Sequence, residues 1–289
     1  MRKIYVDTDL GFDVDDAASI AMLNVMKNRN LIEISAITHS YGEEKAGDAI
    51  KYINDYYGNE VPIGIEKNRP DKKCLDRFIN KMDCLPTSEY PSAIDVLESQ
   101  LSEQRSKDAV MLCIGHLGNL ADLCSCPKGR KLVNDKISEI VIMGGNFANY
   151  KDFYEYGGIQ WEGEFNIITD LESAKKVVLN EELPLSFLDF NQGVDVELNI
   201  DEVNIKEENP MNQIYRKANF LKRPSWDIVS AMYASGEFDE YFSVSPKGKV
   251  VIDEKGRTTF KEGKGNHRLV YLKYNHEDFA KIIENFYFE

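Results

Sequence analysis

The chain has 289 residues, with 35 Lys and Arg against 49 Asp and Glu, and so a formal net charge of −14. An apolar share of 43% with only 19 Gly and 9 Pro is that of a folded globular chain; it excludes a disordered, collagenous or linker-rich one. The acidity argues against nucleic-acid polymers and anionic membranes as partners, since binding either requires Lys and Arg to neutralise phosphate.

Short apolar runs alternate with segments of helical period. Residues 4–6 read as a first strand, and Ala17, Ile20, Ala21 and Val25 then recur at helical spacing. A strand at 31–38 precedes a helix at 45–57, with Gly58 as its C-cap candidate. Residues 61–65 form a short strand and 91–101 a helix, and 109–115 is a continuous apolar run of the kind buried on both faces. A helix opens at 119–124, and 140–143 is a strand. Residues 172–179 are helical and 183–188 extended. This βαβα alternation predicts an α/β fold with an open, mostly parallel, Rossmann-like sheet and helices on both faces.

After residue 190 the pattern loosens. The acidic, amide-rich stretch 195–212 leads into a helix ending near Phe220, and a second helix covers 226–234. Residues 249–252 and 258–261 flank a turn containing Gly256 and read as a hairpin. A strand at 269–272 and an amphipathic helix carrying Phe279, Ile282, Ile283 and Phe286 close the chain. With no linker and no internal repeat, residues 1–289 read as one domain with a small C-terminal hairpin and helix. Cys74, Cys84, Cys113, Cys124 and Cys126 show no metal spacing and read as reduced thiols, Cys113 as a core residue. No stretch approaches the ~20 apolar residues of a membrane span and no signal-type segment opens the chain, so a soluble, cytoplasmic protein is expected. His267 and His276 fall in segments that read as surface.

Five aspartates lie within ten residues after the first strand: Asp7, Asp9, Asp13, Asp15 and Asp16. Capping a helix N-terminus accounts for one or two of them. The turn sits at the carboxyl end of a strand, where open α/β sheets bind ligands. Carboxylates this dense repel one another unless a cation or shared protons compensate, and a hard divalent ion with oxygen ligands meets that need. An EF-hand fits poorly: its sixth position would be Phe12 and its twelfth Ala18. A Mg²⁺-dependent phosphohydrolase of the haloacid-dehalogenase type, with Asp7 as nucleophile, also starts from a strand and D-x-D, and it stands as the rival enzyme.

Asp7-Thr8-Asp9-x-Gly11-x-Asp13-x-Asp15-Asp16-Ala17 resembles the N-terminal signature of the inosine-uridine-preferring nucleoside hydrolase family, in a variant with two extra residues before the Asp pair. Gly115-His116-Leu117-Gly118-Asn119 looks like that family's G-P-L-T-N loop, and the strand ending Met143-Gly144-Gly145 like its M-G-G strand. Glu164-Phe165-Asn166 looks like its E-F-N motif, and Trp226-Asp227 stands in the place of its H-D pair.

The resemblance implies hydrolysis of the N-glycosidic bond of a ribonucleoside to free base and ribose, through an oxocarbenium-like transition state and a Ca²⁺-bound water. It casts Asp9 as general base and metal ligand, and Asp16, Asp227 and the carbonyl of Gly118 as further ligands. Asp15, Glu164 and Asn166 are implied for the ribose, with Met143 and Trp226 among the substrate-binding residues. It also implies a homodimer or homotetramer. Three positions depart from the pattern. Gly42-Glu43 replaces a G-N pair, the stretch 157–160 lacks the upstream sugar-side Asn, and Trp226 replaces the leaving-group His. His39, at a strand end, is the substitute candidate for that acid. A homologue that binds nucleoside or sugar but has lost leaving-group chemistry is the non-enzymatic alternative.

Overall fold

The computed structural model describes residues 1–68, 78–83, 85–147, 154–156, 159–203 and 205–288. Cys74, Cys84, Gly157 and Gly158 lie outside them. In chain order the elements are β1 (Arg2–Thr8), α1 (Asp15–Asn28), β2 (Ile32–His39), α2 (Glu44–Tyr56), β3 (Ile63–Ile65), α3 (Ala93–Glu103), β4 (Ala109–Cys113), α4 (Gly118–Ser125), α5 (Pro127–Lys136) and β5 (Ile137–Met143). There follow β6 (Tyr154–Tyr156), β7 (Ile159–Trp161), α6 (Phe165–Thr169), α7 (Leu171–Leu179), β8 (Leu185–Leu188), α8 (Phe190–Gly193), β9 (Glu197–Asn199) and α9 (Pro210–Ala218). The chain ends through β10 (Lys222–Pro224), α10 (Trp226–Ser235), β11 (Phe242–Val244), β12 (Gly248–Ile252), β13 (Thr258–Glu262), β14 (Arg268–Leu272) and α11 (His276–Phe288).

Eight strands form one sheet in the order β11-β14-β8-β5-β4-β1-β2-β3. Every pairing is parallel except that of the edge strand β11 with β14. Side-chain alternation sends the central strands' residues to two cores. Ile4, Val6, Val110, Leu112 and Val141 pack on one face with α1 and α10 residues, while Tyr5, Met111, Cys113, Ile140 and Ile142 pack on the other with α3, α4 and α7 residues. That is the expected α/β sheet with helices on both faces. The strand order reverses between β1 and β4, and this switch point is where such sheets open a crevice at their carboxyl ends.

The hairpin is β12–β13, paired from Gly248↔Glu262 to Ile252↔Thr258. His267 is not a surface residue: it is fully buried, accepting the Val250 N–H on Nδ1 at 3.1 Å. A backbone bridge between Gly248 and His267 folds the hairpin over it, a long-range contact that the polar residues around it do not announce. His276 is half-buried, 3.8 Å from Asp195. Cys113, Cys124 and Cys126 are free thiols, Cys126 capping α5 through the Gly129 N–H. Among the described residues no helix is long and apolar enough to cross a membrane.

Candidate active site

The β1–α1 turn carries the acidic residues into the crevice. The backbone of β1 is fixed by its neighbours: Ser40 N–H bonds the Thr8 carbonyl (2.8 Å) and Ile114 N–H the Asp7 carbonyl (2.8 Å). The next loop must pass close by. A Cβ on Gly115 would stand 2.7 Å from the Asp9 nitrogen and 2.7 Å from Ser40 Oγ, so only glycine fits. The Thr8 hydroxyl donates to Asp16 Oδ1 and accepts the Leu10 N–H, tying the turn to the first residues of α1.

α1 and α10 pack against each other with their N-termini together. This brings carboxylate oxygens of Asp15, Asp16 and Asp227 within 4.8 Å of one another, all three buried. Asp227 N–H donates to Asp15 Oδ2 (3.2 Å) and Ser19 Oγ to the Asp227 carbonyl (3.2 Å). Asp9 is buried beside them, and its Oδ2 has no hydrogen-bond partner among the described residues. Burial foremost, then Glu164, Asp13 and Asp7, push the Asp9 carboxyl up to about 8. Burial and mutual repulsion hold Asp16 and Asp227 well above the ordinary carboxylate range; burial and the nearby Asp13 do the same for Asp15, with Arg223 opposing. Convergent buried carboxylates with an orphaned oxygen at Asp9 fit a hard divalent cation, which supplies the missing counter-charge. Gly118 is the buried first residue of α4.

Two aspartates of the turn lie elsewhere. Asp13 does not join the cluster: Arg223 Nε donates to its two oxygens at 2.9 and 3.0 Å, and Nη2 bonds it as well. Asp7 is wholly buried under the turn, its Oδ1 accepting from Thr38 Oγ1 (2.6 Å) and Asn119 Nδ2 (2.7 Å).

Across the crevice, Glu164 caps α6. Its oxygens accept the N–H groups of Asn166 (2.9 Å), Gly145 (3.0 Å) and Ile167 (3.3 Å). Burial lifts its pKa to about 7 against the pull of those three donors. Asn166 Nδ2 donates to the strand-end carbonyls of Ile114 (3.1 Å) and Met143 (3.2 Å) and to Met143 Sδ (3.3 Å), so Met143 and Asn166 are one unit.

Trp226 is buried against Phe190, its ring tilted at a centroid distance of 5.5 Å and its indole N–H donated to the Phe190 carbonyl at 2.9 Å. His39 is also buried, and its Nε2 donates to the Leu10 carbonyl at 3.1 Å. Four rings stand together at this end of the sheet. Phe12 packs edge-on against Tyr41 (4.6 Å) and Phe165 (5.8 Å), and Tyr41 tilts over His116 (5.1 Å). Phe12 lies within the acidic turn, Tyr41 follows β2, and His116 and Phe165 are members of the G-x-x-G-N and E-F-N segments.

Residues 4–281 match the family described as inosine-uridine preferring nucleoside hydrolase. The chain belongs to that family. It is therefore a glycosyl hydrolase acting on nucleosides, and the phosphohydrolase reading falls with this assignment, as the enclosure of Asp7 already suggests. The fold agrees. The inosine-uridine preferring nucleoside hydrolase from Bacillus anthracis superposes with a TM-score of 0.77 at 21% identity, over 99% of each chain. A purine-preferring ribonucleoside hydrolase from Gardnerella vaginalis gives 0.75 at 18% identity, over 99% of this chain and 98% of that one. The type III effector protein XopQ, solved in complex with adenosine diphosphate ribose, gives 0.74 at 12% identity, over 99% of this nucleoside hydrolase and 93% of that chain. Comparison with the curated proteins gives no match.

Proposed function

We propose that this nucleoside hydrolase, with residues 1–289 as one unit, cleaves the N-glycosidic bond of a ribonucleoside to free base and ribose, with Asp9 as general base. The observation that carries the reading is the orphaned, buried Oδ2 of Asp9 beside the convergent carboxylates of Asp15, Asp16 and Asp227. Asp9, Asp16, Asp227 and the Gly118 carbonyl would hold Ca²⁺, which would supply Lewis acidity to orient and acidify the attacking water. In its ionised form, Asp9 takes the proton of that water on Oδ2. Asp15, Glu164 and Asn166 hold the ribose hydroxyls; with Asn166 Nδ2 tied to strand-end carbonyls, its Oδ1 is the atom left for sugar. Phe12, Tyr41 and Phe165 supply an aromatic wall for the base. Trp226, its N–H already donated, is an apolar wall and not an acid, and the Nε2 proton of His39 is likewise engaged. A homodimer or homotetramer is what the family resemblance implies.

The test is a reducing-sugar assay over purine, pyrimidine and nicotinamide ribosides. Asp9→Asn is expected to lower kcat by about 10²–10⁴-fold with an unchanged circular dichroism spectrum; full activity of that variant overturns the assignment. Stabilisation by ribosides without release of sugar would favour the binding-only reading that the engaged N–H groups of Trp226 and His39 support.

A further inference from the structure

A groove of about 420 Å³ opens at the end of the sheet opposite the acidic turn. The amino ends of four adjacent parallel strands border it: Lys107 precedes β4, Ile137 and Glu139 belong to the start of β5, Pro184 precedes β8, and Arg268 begins β14. The seven residues of β5 separate this end from Met143 by on the order of 20 Å. Three cations, Lys107, Lys247 and Arg268, line the groove, and among the described residues none of them makes an ion pair. Lys247 Nζ donates to Asn266 Oδ1 (2.7 Å) and Arg268 Nη1 to the Ser245 carbonyl (2.9 Å), so neutral acceptors fix both head groups and leave their charge uncancelled. Asp135, which feels Lys107 at longer range, is bonded to Lys131 instead, and Lys249 is taken by Glu181.

Unpaired cations gathered in one concavity of a chain with net charge −14 attract an anion locally, and Arg with Lys suits phosphate oxygens. Glu139 and Glu182 line the same groove. Glu139 is held in place there, its Oε1 accepting from Ser186 Oγ (2.6 Å) and the Tyr233 hydroxyl (2.8 Å). Two carboxylates beside three cations do not suit a bare anion, which the acids would repel. They suit a ligand that is anionic at one end and carries hydroxyl donors along the rest, because carboxylates only accept hydrogen bonds. We propose that this groove binds a phosphorylated sugar, its phosphate on Lys107, Lys247 and Arg268 and its hydroxyls on Glu139, Glu182 and the amide of Asn134. The volume falls within the roughly 300–1,000 Å³ of small-molecule sites. A free sugar phosphate and the sugar-phosphate end of a mononucleotide share this chemistry. The site is separate from the catalytic crevice and does not depend on the reaction assigned there.

The test is isothermal titration calorimetry of the full chain at fixed ionic strength, with saturating D-ribose present to occupy the crevice. D-ribose 5-phosphate and AMP are titrated against inorganic phosphate as the reference. At least one of the two is expected to bind at a single site more tightly than phosphate, and the tighter of them identifies the source. Lys247→Gln and Arg268→Gln should each weaken that binding about tenfold, the effect of one hydrogen bond between charged groups. Lys107→Gln alters an exposed side chain and gives the same reading if either of the others fails to fold. Reducing-sugar release from a ribonucleoside should stay within twofold of wild type in all three. Absence of binding at about 10 mM ligand, or binding that all three variants leave unchanged, overturns the proposal. So does phosphate binding as tightly as both sugar phosphates, and so does a change of oligomeric state in these variants without sugar-phosphate binding to the wild type, which would make the groove a subunit contact. Failure of the hydrolase reading would show separately, as absence of sugar release.

Discussion

Asp13 and Arg223 stand 210 positions apart, yet their ion pair decides which aspartates remain in the acidic cluster. Arg223 packs over the rings of Phe220 (4.7 Å) and Trp226 (5.4 Å) and is only 18% exposed, its partner 23%. Such a pair is costly to break from one side, because a half-buried charge is left behind. Arg223→Gln is expected to lower stability to urea by about 1–3 kcal/mol at neutral pH, and adding Asp13→Asn should recover at least half of that loss. Strictly additive losses in this double-mutant cycle would show that the two residues do not couple. Composition and spacing alone do not tell Asp13 from Asp15, both aspartates of one turn; only the family resemblance singles out Asp15. What separates them is a cation delivered by β10, a three-residue strand with no periodicity to detect.

At the scale of elements, two glycines set how closely the loops approach. Gly115 lets the β4–α4 loop lie on the end of β1, and Gly193 lets α8 touch the start of α10, where an added Cβ would stand 2.4 Å from the Trp226 Cα. Gly115→Ala must push the loop away from Asp9. It is expected to cost about 1–3 kcal/mol in thermal melts and to lower kcat/KM at least tenfold in the sugar assay. Wild-type behaviour would mean that this approach does not position Asp9. The strands around these loops were legible because their apolar runs are continuous and buried on both faces. Helix α5 was not. Of its ten residues only Gly129 and Val133 are buried, so it carries no apolar stripe, and its start is marked only by Cys126 and Pro127. The short strands β9, β10 and β11 were equally silent, since three residues are too few to show a period.

For the whole molecule, the enclosed acids couple stability to pH and to cation. Asp9 titrates near 8 when folded and near the ordinary carboxylate value when unfolded, and Glu164 is raised to about 7. Between those limits the folded chain holds more protons than the unfolded one, so stability falls as pH rises. His267 acts in the opposite sense: burial lowers its pKa, so its contribution grows as pH rises toward 6.5 and is constant above. The window from about 6.5 to 8 therefore isolates the carboxylates. In chelator the melting temperature is expected to fall across that window. Excess Ca²⁺ should cancel the fall and stabilise more at pH 8 than at pH 6, because the carboxylates must lose their protons to bind it. A flat profile in chelator would refute the raised carboxylates, and an equal Ca²⁺ effect at both pH values would refute their link to the cation.

The opening count of 14 excess negative charges thus divides into a solvated majority and a small buried group with a task. The sequence by itself determined the α/β class, the order of the principal elements, and the place of the acidic turn at the end of the first strand. Those features are written in neighbouring residues, through apolar periodicity, turn chemistry and motif spacing. Tertiary structure decided which aspartates converge and that Asp7 and Asp13 are held by Asn119, Thr38 and Arg223. It also decided that His267 is enclosed. Each of these depends on a partner from a distant part of the chain, brought close by packing of loops and helix ends, and local sequence carries no period or spacing that encodes such a meeting.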